Sequence, residues 1–310
     1  MGRTRRAKQA RPPATVPAGS GSSRRWIVAA VAVVLVGSGA ALLRPWGGAP
    51  ESPAAGSTPR FAEVPGVPAA PARRAAAVQA PRRLRVEVLR ALSHERDAYT
   101  QGLLWWNGQL FESTGREGES TLRRIDPETG AVVQRVDIPA QYFGEGLARV
   151  DERFIMLTWR GERAFVFDRD SFAELDTYRY RGEGWGLCYD GDRLVMSDGS
   201  DLLTFRDPAT FEPTGERRVQ MDGRPLSRLN ELECVGDAVY ANVWEEDYIV
   251  RIDPDTGQVT EHIDAAGLLS GDDLVGAEVL NGIAYDPEAD TFYITGKWWP
   301  KMFEVRFVEK

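Results

Sequence analysis

From residue 82 onward the chain is dominated by short runs in which apolar and polar residues alternate, separated by polar turns. Alternation at period two marks strands with one buried face. Five segments start alike: TQGLLWWNGQLFES (100–113), GEGLARVDERFIML (144–157), GWGLCYDGDRLVMS (184–197), LNELECVGDAVYAN (229–242) and LNGIAYDPEADTFYIT (280–295). Their starts lie 44, 40, 45 and 51 residues apart. Each start leads through a turn such as NG, DE or GD into a second alternating strand. A third strand follows, and in LRRIDPETG (122–130), LLTFRDPAT (202–210) and IVRIDPDTG (249–257) it ends in an Asp-Pro turn, where Asp caps the turn and Pro fixes φ. Fourth strands come next, as in AVVQRVDI (131–138) and AELDTYRY (173–180). Four short strands per repeat of about 40–50 residues is the pattern of a propeller blade. The fifth unit holds only three strands, while LRVEVLRAL (84–92) alternates without a partner of its own. It is expected to close the ring as the outer strand of the last blade, removing an exposed edge. The predicted fold is therefore all-β: a five-bladed β-propeller over 82–310, closed by its N-terminal strand. A β-sandwich does not account for five copies of one four-strand pattern.

The first strand of a blade lines the central channel. Gln101, Glu145, Trp185, Asn230 and Asn281 hold equivalent places in the five copies and are expected in one layer at one mouth. Leu103, Leu147, Leu187, Leu232 and Ile283, two residues further on, are expected to form an apolar layer below. In the second strands Trp159 aligns with Gly115, Gly199, Trp244 and Lys297. Second strands run back towards the same mouth, so Trp159, Trp244 and Lys297 should surround Glu145, Gln101 and Asn230. The two glycines are expected to leave open space. Three indoles, one acid, two amides and a lysine then converge, which reads as a site rather than as core packing.

Residues 26–43, WIVAAVAVVLVGSGAALL, lack charge, and as a helix they would span about 27 Å, close to the thickness of a bilayer. Seven Lys/Arg precede them, including Arg24 and Arg25 in SRRWIV (23–28), which loosely resembles a twin-arginine export signal. The chain is expected to have a basic cytoplasmic tail (1–25), a retained membrane anchor (26–43) and an exported remainder. The anchor contains no Cys, which excludes a lipoprotein. Residues 44–81 are rich in Pro, Ala and Gly and read as a disordered tether. Residues 1–83 carry 13 Lys/Arg against 2 Asp/Glu, leaving 25 against 44 for the rest, a charge of −19. So acidic a body argues against nucleic acid as a partner. Cys188 and Cys234 are too few and too far from any His for zinc, and no cofactor motif is present. The repeat alignment puts the two cysteines on opposite faces of their strands, which predicts two separate thiols.

AYTQGL (98–103), LFESTGREGESTLR (110–123), YFGEGLA (142–148), LNELE (229–233), VYANVW (239–244), LNGIAYD (280–286) and ITGKWWPKMFEV (294–305) resemble the plant and bacterial glutaminyl-peptide cyclotransferases. The resemblance runs through all five units and stops short of the N-terminal 81 residues. It implies a five-bladed propeller that converts an N-terminal glutamine of a peptide or protein to pyroglutamate, releasing ammonia without metal or cofactor. It implies Glu145 as the catalytic proton shuttle, and Lys297, Gln101 and Asn230 against the substrate. Phe143, Trp159, Trp185 and Trp244 become aromatic walls, and Tyr99 the aromatic before the glutamine. Two rival readings follow from the same residues. Glu145, Asn230 and Asn281 could ligate a hard cation in a lactonase, against which Lys297 argues. A non-catalytic peptide-binding propeller would need the tryptophans but not Glu145. The places of His94 and His262, the only histidines, before the first unit and on an outer strand, argue against a Ser-His-Asp hydrolase.

Overall fold

The computed structural model describes residues 80–310. The basic tail, the 26–43 segment and nearly all of the 44–81 tether lie outside the described residues. Among the described residues the one helix is a 3-10 turn at Gly271–Leu274, and none is long and apolar enough to cross a membrane.

The remainder is strand. After β1 (Arg82–Ser93) come three four-stranded antiparallel meanders. The first is β2 (Thr100–Trp106), β3 (Gln109–Thr114), β4 (Thr121–Ile125) and β5 (Val132–Asp137). The second is β6 (Gly144–Val150), β7 (Arg153–Thr158), β8 (Arg163–Asp168) and β9 (Glu174–Arg179). The third is β10 (Leu187–Tyr189), β11 (Leu194–Ser197), β12 (Leu202–Arg206) and β13 (Pro213–Arg218). A small hairpin, β14 (Gln220–Met221) with β15 (Arg224–Pro225), leads to the fourth group: β16 (Leu229–Val235), β17 (Ala238–Val243), β18 (Tyr248–Ile252) and β19 (Val259–Asp264). The last group is β20 (Leu280–Asp286), β21 (Thr291–Gly296) and β22 (Lys301–Glu309). Its fourth strand is β1, antiparallel to β22 from Leu84↔Glu309 to Ser93↔Lys301. The start of β1 also pairs in parallel with β19, fusing the last two groups into one eight-stranded sheet. The unpartnered N-terminal strand thus covers the edge left by the three-stranded terminal unit, and knits two groups together.

Turn chemistry explains why the strands end where they do. Asn107 and Gly108 both take positive φ in the β2–β3 hairpin. Asp126, Asp207 and Asp253 each accept two backbone N–H bonds at 2.8–3.1 Å from the residues two and three ahead. Asp168 builds a fourth such turn without proline, its Oδ1 accepting Ser171 N at 2.8 Å.

Apolar faces meet between consecutive groups. Leu147, Phe154 and Met156 pack on Leu104, Phe111 and Leu122; Leu187, Leu194 and Met196 pack on Ala148, Ile155 and Leu157. The same holds at the next two junctions and again between the last group and the first, where Leu103 and Leu110 meet Ala284 and Tyr293. The first strands β2, β6, β10, β16 and β20 therefore contact one another in a closed ring, a propeller-like all-β fold. The aliphatic residues expected as a layer below the site, Leu103, Leu147, Leu187, Leu232 and Ile283, are each at most 2 % exposed. Each belongs to the cluster that seals its group against the preceding one.

The cysteines require a correction. Cys188 and Cys234 form a disulfide with Cα atoms 5.4 Å apart. Leu187 faces the second group, so Cys188 faces the fourth; Leu232 faces the third group, and Cys234 shares its side at period two. Adjacent sheets pack unlike face to unlike face. Residues on opposite faces of neighbouring first strands are therefore the ones that meet.

Candidate active site

One irregularity recurs at the ring's mouth. The ladder between first and second strands slips between Thr100 and Gly102, Gly144 and Leu147, Leu229 and Leu232, and Leu280 and Ile283. The residues left out of register include Gln101, Glu145, Asn230 and Asn281. In the third group the regular strand begins only after Trp185, at Leu187. Such bulges re-aim a side chain while the rest of the strand stays paired. The glycine that follows most of them permits the close approach: a Cβ on Gly146 would lie 2.5 Å from Leu187 N, and one on Gly102 would lie 2.6 Å from Leu147 N. In the fourth copy the position is Glu231, whose carboxylate reaches out to accept Leu103 N at 3.2 Å and Ile283 N at 2.8 Å.

The second strands return to the same mouth. Backbone N–H bonds fasten Gly115 to Tyr99 O, Trp159 to Phe143 O, Trp244 to Arg228 O and Lys297 to Val279 O, at 2.8–3.0 Å. This repeated bond puts Gly115, Trp159, Trp244 and Lys297 at equivalent places. The glycines do not leave open space, however. A Cβ on Gly115 would overlap the Phe143 ring, and one on Gly199 would lie 2.7 Å from the Trp185 ring. Each glycine makes room for an aromatic from a neighbouring segment.

Tyr99, Gln101, Phe143, Glu145, Trp159, Trp185, Asn230, Trp244 and Lys297 all line one cavity of about 430 Å³. Asn281, expected in the same layer, is not among the lining residues; it donates to Thr100 O at 2.9 Å and to Gln101 Oε1 at 3.3 Å. Gln101 Nε2 in turn donates to Glu145 Oε1 at 3.2 Å. Glu145, Gln101, Asn230 and Lys297 are buried at the floor, and Asn230 Oδ1 has no hydrogen-bond partner among the described residues. The aromatic rings meet edge to face, Phe143 with Trp159 and Trp185 with Trp244, both at 5.7 Å between centroids. Lys297 Nζ lies 4.8 Å from the centre of the Tyr99 ring.

Burial dominates the electrostatics. It raises the Glu145 carboxyl well above the usual carboxylate range, a shift opposed by Lys297 and reinforced by Glu183. Burial lowers the Lys297 ammonium, against the pull of Glu145 and Glu278. The pocket floor therefore holds a carboxyl whose proton affinity is raised beside an ammonium whose proton affinity is lowered, each within the influence of the other.

Lys297 is fixed by a turn whose support lies outside the cavity. His94 Nδ1 is 2.8 Å from Trp299 O and its Nε2 is 2.9 Å from Glu112 Oε1, which also accepts Thr100 Oγ1 at 2.6 Å. This buried network ties the strand carrying Gln101 to the turn carrying Lys297. Two further lining residues, Arg160 and Glu183, were not singled out from the sequence. Arg160 directly follows Trp159, and Glu183 immediately precedes the third copy, the place held by Tyr99 and Phe143 in the first two, so the repeat register extended by one residue points to both.

A propeller-like ring with a buried acid and a buried lysine inside an aromatic pocket has the makings of an enzyme that acts on a small polar group. The glutamine cyclotransferase family model matches residues 63–307. A glutaminyl-peptide cyclotransferase of Arabidopsis thaliana is 38 % identical over 226 residues, covering 71 % of each chain. The crystal structure of Myxococcus xanthus glutaminyl cyclase is 40 % identical and superimposes with a TM-score of 0.67, covering 74 % of this chain and 98 % of the other. The chain belongs to the glutamine cyclotransferase family.

Proposed function

We propose that the cavity binds the N-terminal glutamine of a peptide or protein and cyclises it to pyroglutamate, releasing ammonia. The observation that carries this reading is the buried Glu145 carboxyl, bonded to Gln101 and walled by indoles in a cavity of about 430 Å³. The substrate contains both reactants, so folding it back in a confined slot brings the α-amine to its own γ-carboxamide. An α-amino group titrates near ~8, so a neutral amine is available without a strong base. The difficult part is the departure of the amide nitrogen. As the amine nitrogen bonds to the side-chain carbonyl carbon, Glu145 takes one of its protons and passes it to the amide nitrogen. The carbon–nitrogen bond then breaks, ammonia leaves, and the carboxylate is regenerated. A carboxyl whose affinity for protons is raised by burial suits both halves of this exchange.

Lys297 stabilises charge developing on the carbonyl oxygen. Asn230 offers its unpartnered Oδ1 to the substrate's N–H groups, and Gln101 orients Glu145. Trp159, Trp185, Trp244 and Phe143 pack on the glutamine methylenes and exclude water, favouring ring closure over hydrolysis. Tyr99 closes the wall beside Lys297. Incubating the chain with a Gln-initiated dipeptide should release ammonia and pyroglutamyl product in equal amounts; release of glutamate instead would refute it.

The ring is read as five blades, with β1 as the outer strand of the fifth. Residues 1–25 form the cytoplasmic tail, 26–43 the membrane anchor, 44–81 the tether and 82–310 the catalytic domain, held outside the cytoplasm. The disulfide supports that placement, since such bonds persist in oxidising compartments. External protease should remove the domain from intact spheroplasts; full protection would contradict this orientation.

A further inference from the structure

One lining residue has both carboxylate oxygens engaged by other residues that line the same cavity. Glu183 lies two residues before Trp185. Its Oε2 accepts from Trp159 Nε1 at 2.8 Å and from Trp185 Nε1 at 3.0 Å. Its Oε1 accepts from Arg160 Nε at 2.8 Å, and the Arg160 guanidinium lies over the Trp159 ring, 3.8 Å from its centre. Trp159 follows β7 in the second group, whereas Trp185 leads into β10 in the third. Trp159 packs edge-on with Phe143, and Trp185 with Trp244. A single carboxylate thus joins two aromatic pairs into one continuous arc spanning the second to the fourth group.

We infer that Glu183 is a positioning residue that sets the separation of the Trp159 and Trp185 walls, and with it how closely the pocket grips the glutamine side chain. This rests on the cyclisation reading of the cavity. An indole N–H inside an apolar wall must find an acceptor or lose its hydrogen bond. Here both indoles find the same acceptor, so their spacing is fixed by the reach of one carboxylate. Arg160 holds that carboxylate ionised and in place, and Glu183 sits below its ordinary carboxylate range despite partial burial because Trp185, Arg160 and Trp159 all bond to it. A neutral or protonated side chain would offer weaker acceptance, since hydrogen bonds to an ionised acceptor are the stronger kind.

The same charge reaches the chemistry indirectly. The groups acting on Glu145 are Lys297, which favours its ionised form, and Glu183, which opposes ionisation; Tyr99 and Tyr180 also lie within its field. Removing the Glu183 charge should move Glu145 ionisation to lower pH, which a purely architectural role would not do.

The test compares the full chain with Glu183→Gln and Glu183→Ala on a Gln-initiated dipeptide, measuring kcat and KM from pH 5 to 9, indole emission and thermal melting. Glu183→Ala should raise KM by about tenfold or more with a smaller change in kcat, the signature of lost substrate positioning. Glu183→Gln, which keeps one acceptor oxygen for the indoles, should recover most of that KM. In both variants the acidic limb of kcat should shift to lower pH, and indole emission should change in Glu183→Ala. Wild-type KM and an unmoved pH limb in Glu183→Ala would overturn the inference, as would equal losses in both variants that merely track a fall in melting temperature. Wild-type protein inactive on every Gln-initiated peptide would overturn the cyclisation reading instead. The clip would then be judged by indole emission alone, an unchanged spectrum in Glu183→Ala refuting it.

Discussion

Opening the Cys188–Cys234 bridge should weaken the fold substantially while leaving the pocket chemistry in place. The bridge joins β10 to β16 and spans 46 residues of sequence. In the chain-entropy treatment, a closed loop of that length restricts the unfolded chain by about 4 kcal/mol. A domain of roughly 200 residues loses about 2–4 °C of Tm per kcal/mol, so the expected drop is about 8–16 °C. The bridge borders a second cavity, with Trp105, Arg149 and Glu233, that shares no residue with the candidate active site. Turnover at 25 °C should therefore survive reduction. The assay is thermal unfolding of the wild type with and without reductant, beside the Cys188→Ala/Cys234→Ala double variant. Reductant should lower the wild-type midpoint and leave the double variant unchanged. A double variant within about 2 °C of oxidised wild type, or two titratable thiols in native unreduced protein, would refute the reasoning.

Lys297→Met removes the one cation that opposes the upward shift of Glu145, so the kcat limb set by that carboxyl should move to higher pH. Turnover should fall by about 10²–10³-fold through lost stabilisation of the carbonyl oxygen; an unmoved limb would separate the two groups. Gly115→Ala would drive a methyl into the Phe143 ring. Overpacking of this kind costs about 1–3 kcal/mol, to be read from the urea midpoint, with a parallel rise in KM as the ring is displaced. Burial pushes the Glu233 carboxyl up to about 8 from an ordinary 4.5. Below pH 4.5 it is protonated in both states; between 4.5 and about 8 only the folded state keeps the proton, so stability should fall as pH rises through that window. Glu233→Gln should flatten this part of the stability curve, and an unchanged slope in urea titrations at pH 5 to 8 would contradict the assignment.

The arrangement of strands could be read before any coordinates because each unit repeats one alternating pattern with turns of recognisable chemistry. The meeting of Glu145, Trp159, Trp185, Trp244 and Lys297 followed from the same periodicity, since equivalent positions in a ring of like sheets must share one mouth. What periodicity could not supply is interaction across sheets. Cys188 and Cys234 were placed on opposite faces correctly, yet only face-to-face stacking of neighbouring sheets shows that opposite faces touch. Gly115 and Gly199 looked like gaps because a missing side chain does not reveal which neighbour occupies the space. The bulges at Gln101, Glu145, Asn230 and Asn281 leave no mark in an alternating pattern. Glu183 holds the place that Tyr99 and Phe143 hold in the first two units, but nothing in its sequence context shows that it bonds two indoles. Its role is visible only once both indoles are seen to share its oxygen.

The most direct test of the account is to measure binding and turnover side by side for the wild type and Glu145→Gln, using one Gln-initiated peptide. Gln is nearly isosteric and keeps a bond to Gln101, so the variant should bind the peptide within a few-fold of wild type by quenching of indole fluorescence. Ammonia release should fall by about 10²–10⁴-fold, the worth of a positioned proton shuttle. Turnover close to that of wild type would remove Glu145 from the chemistry.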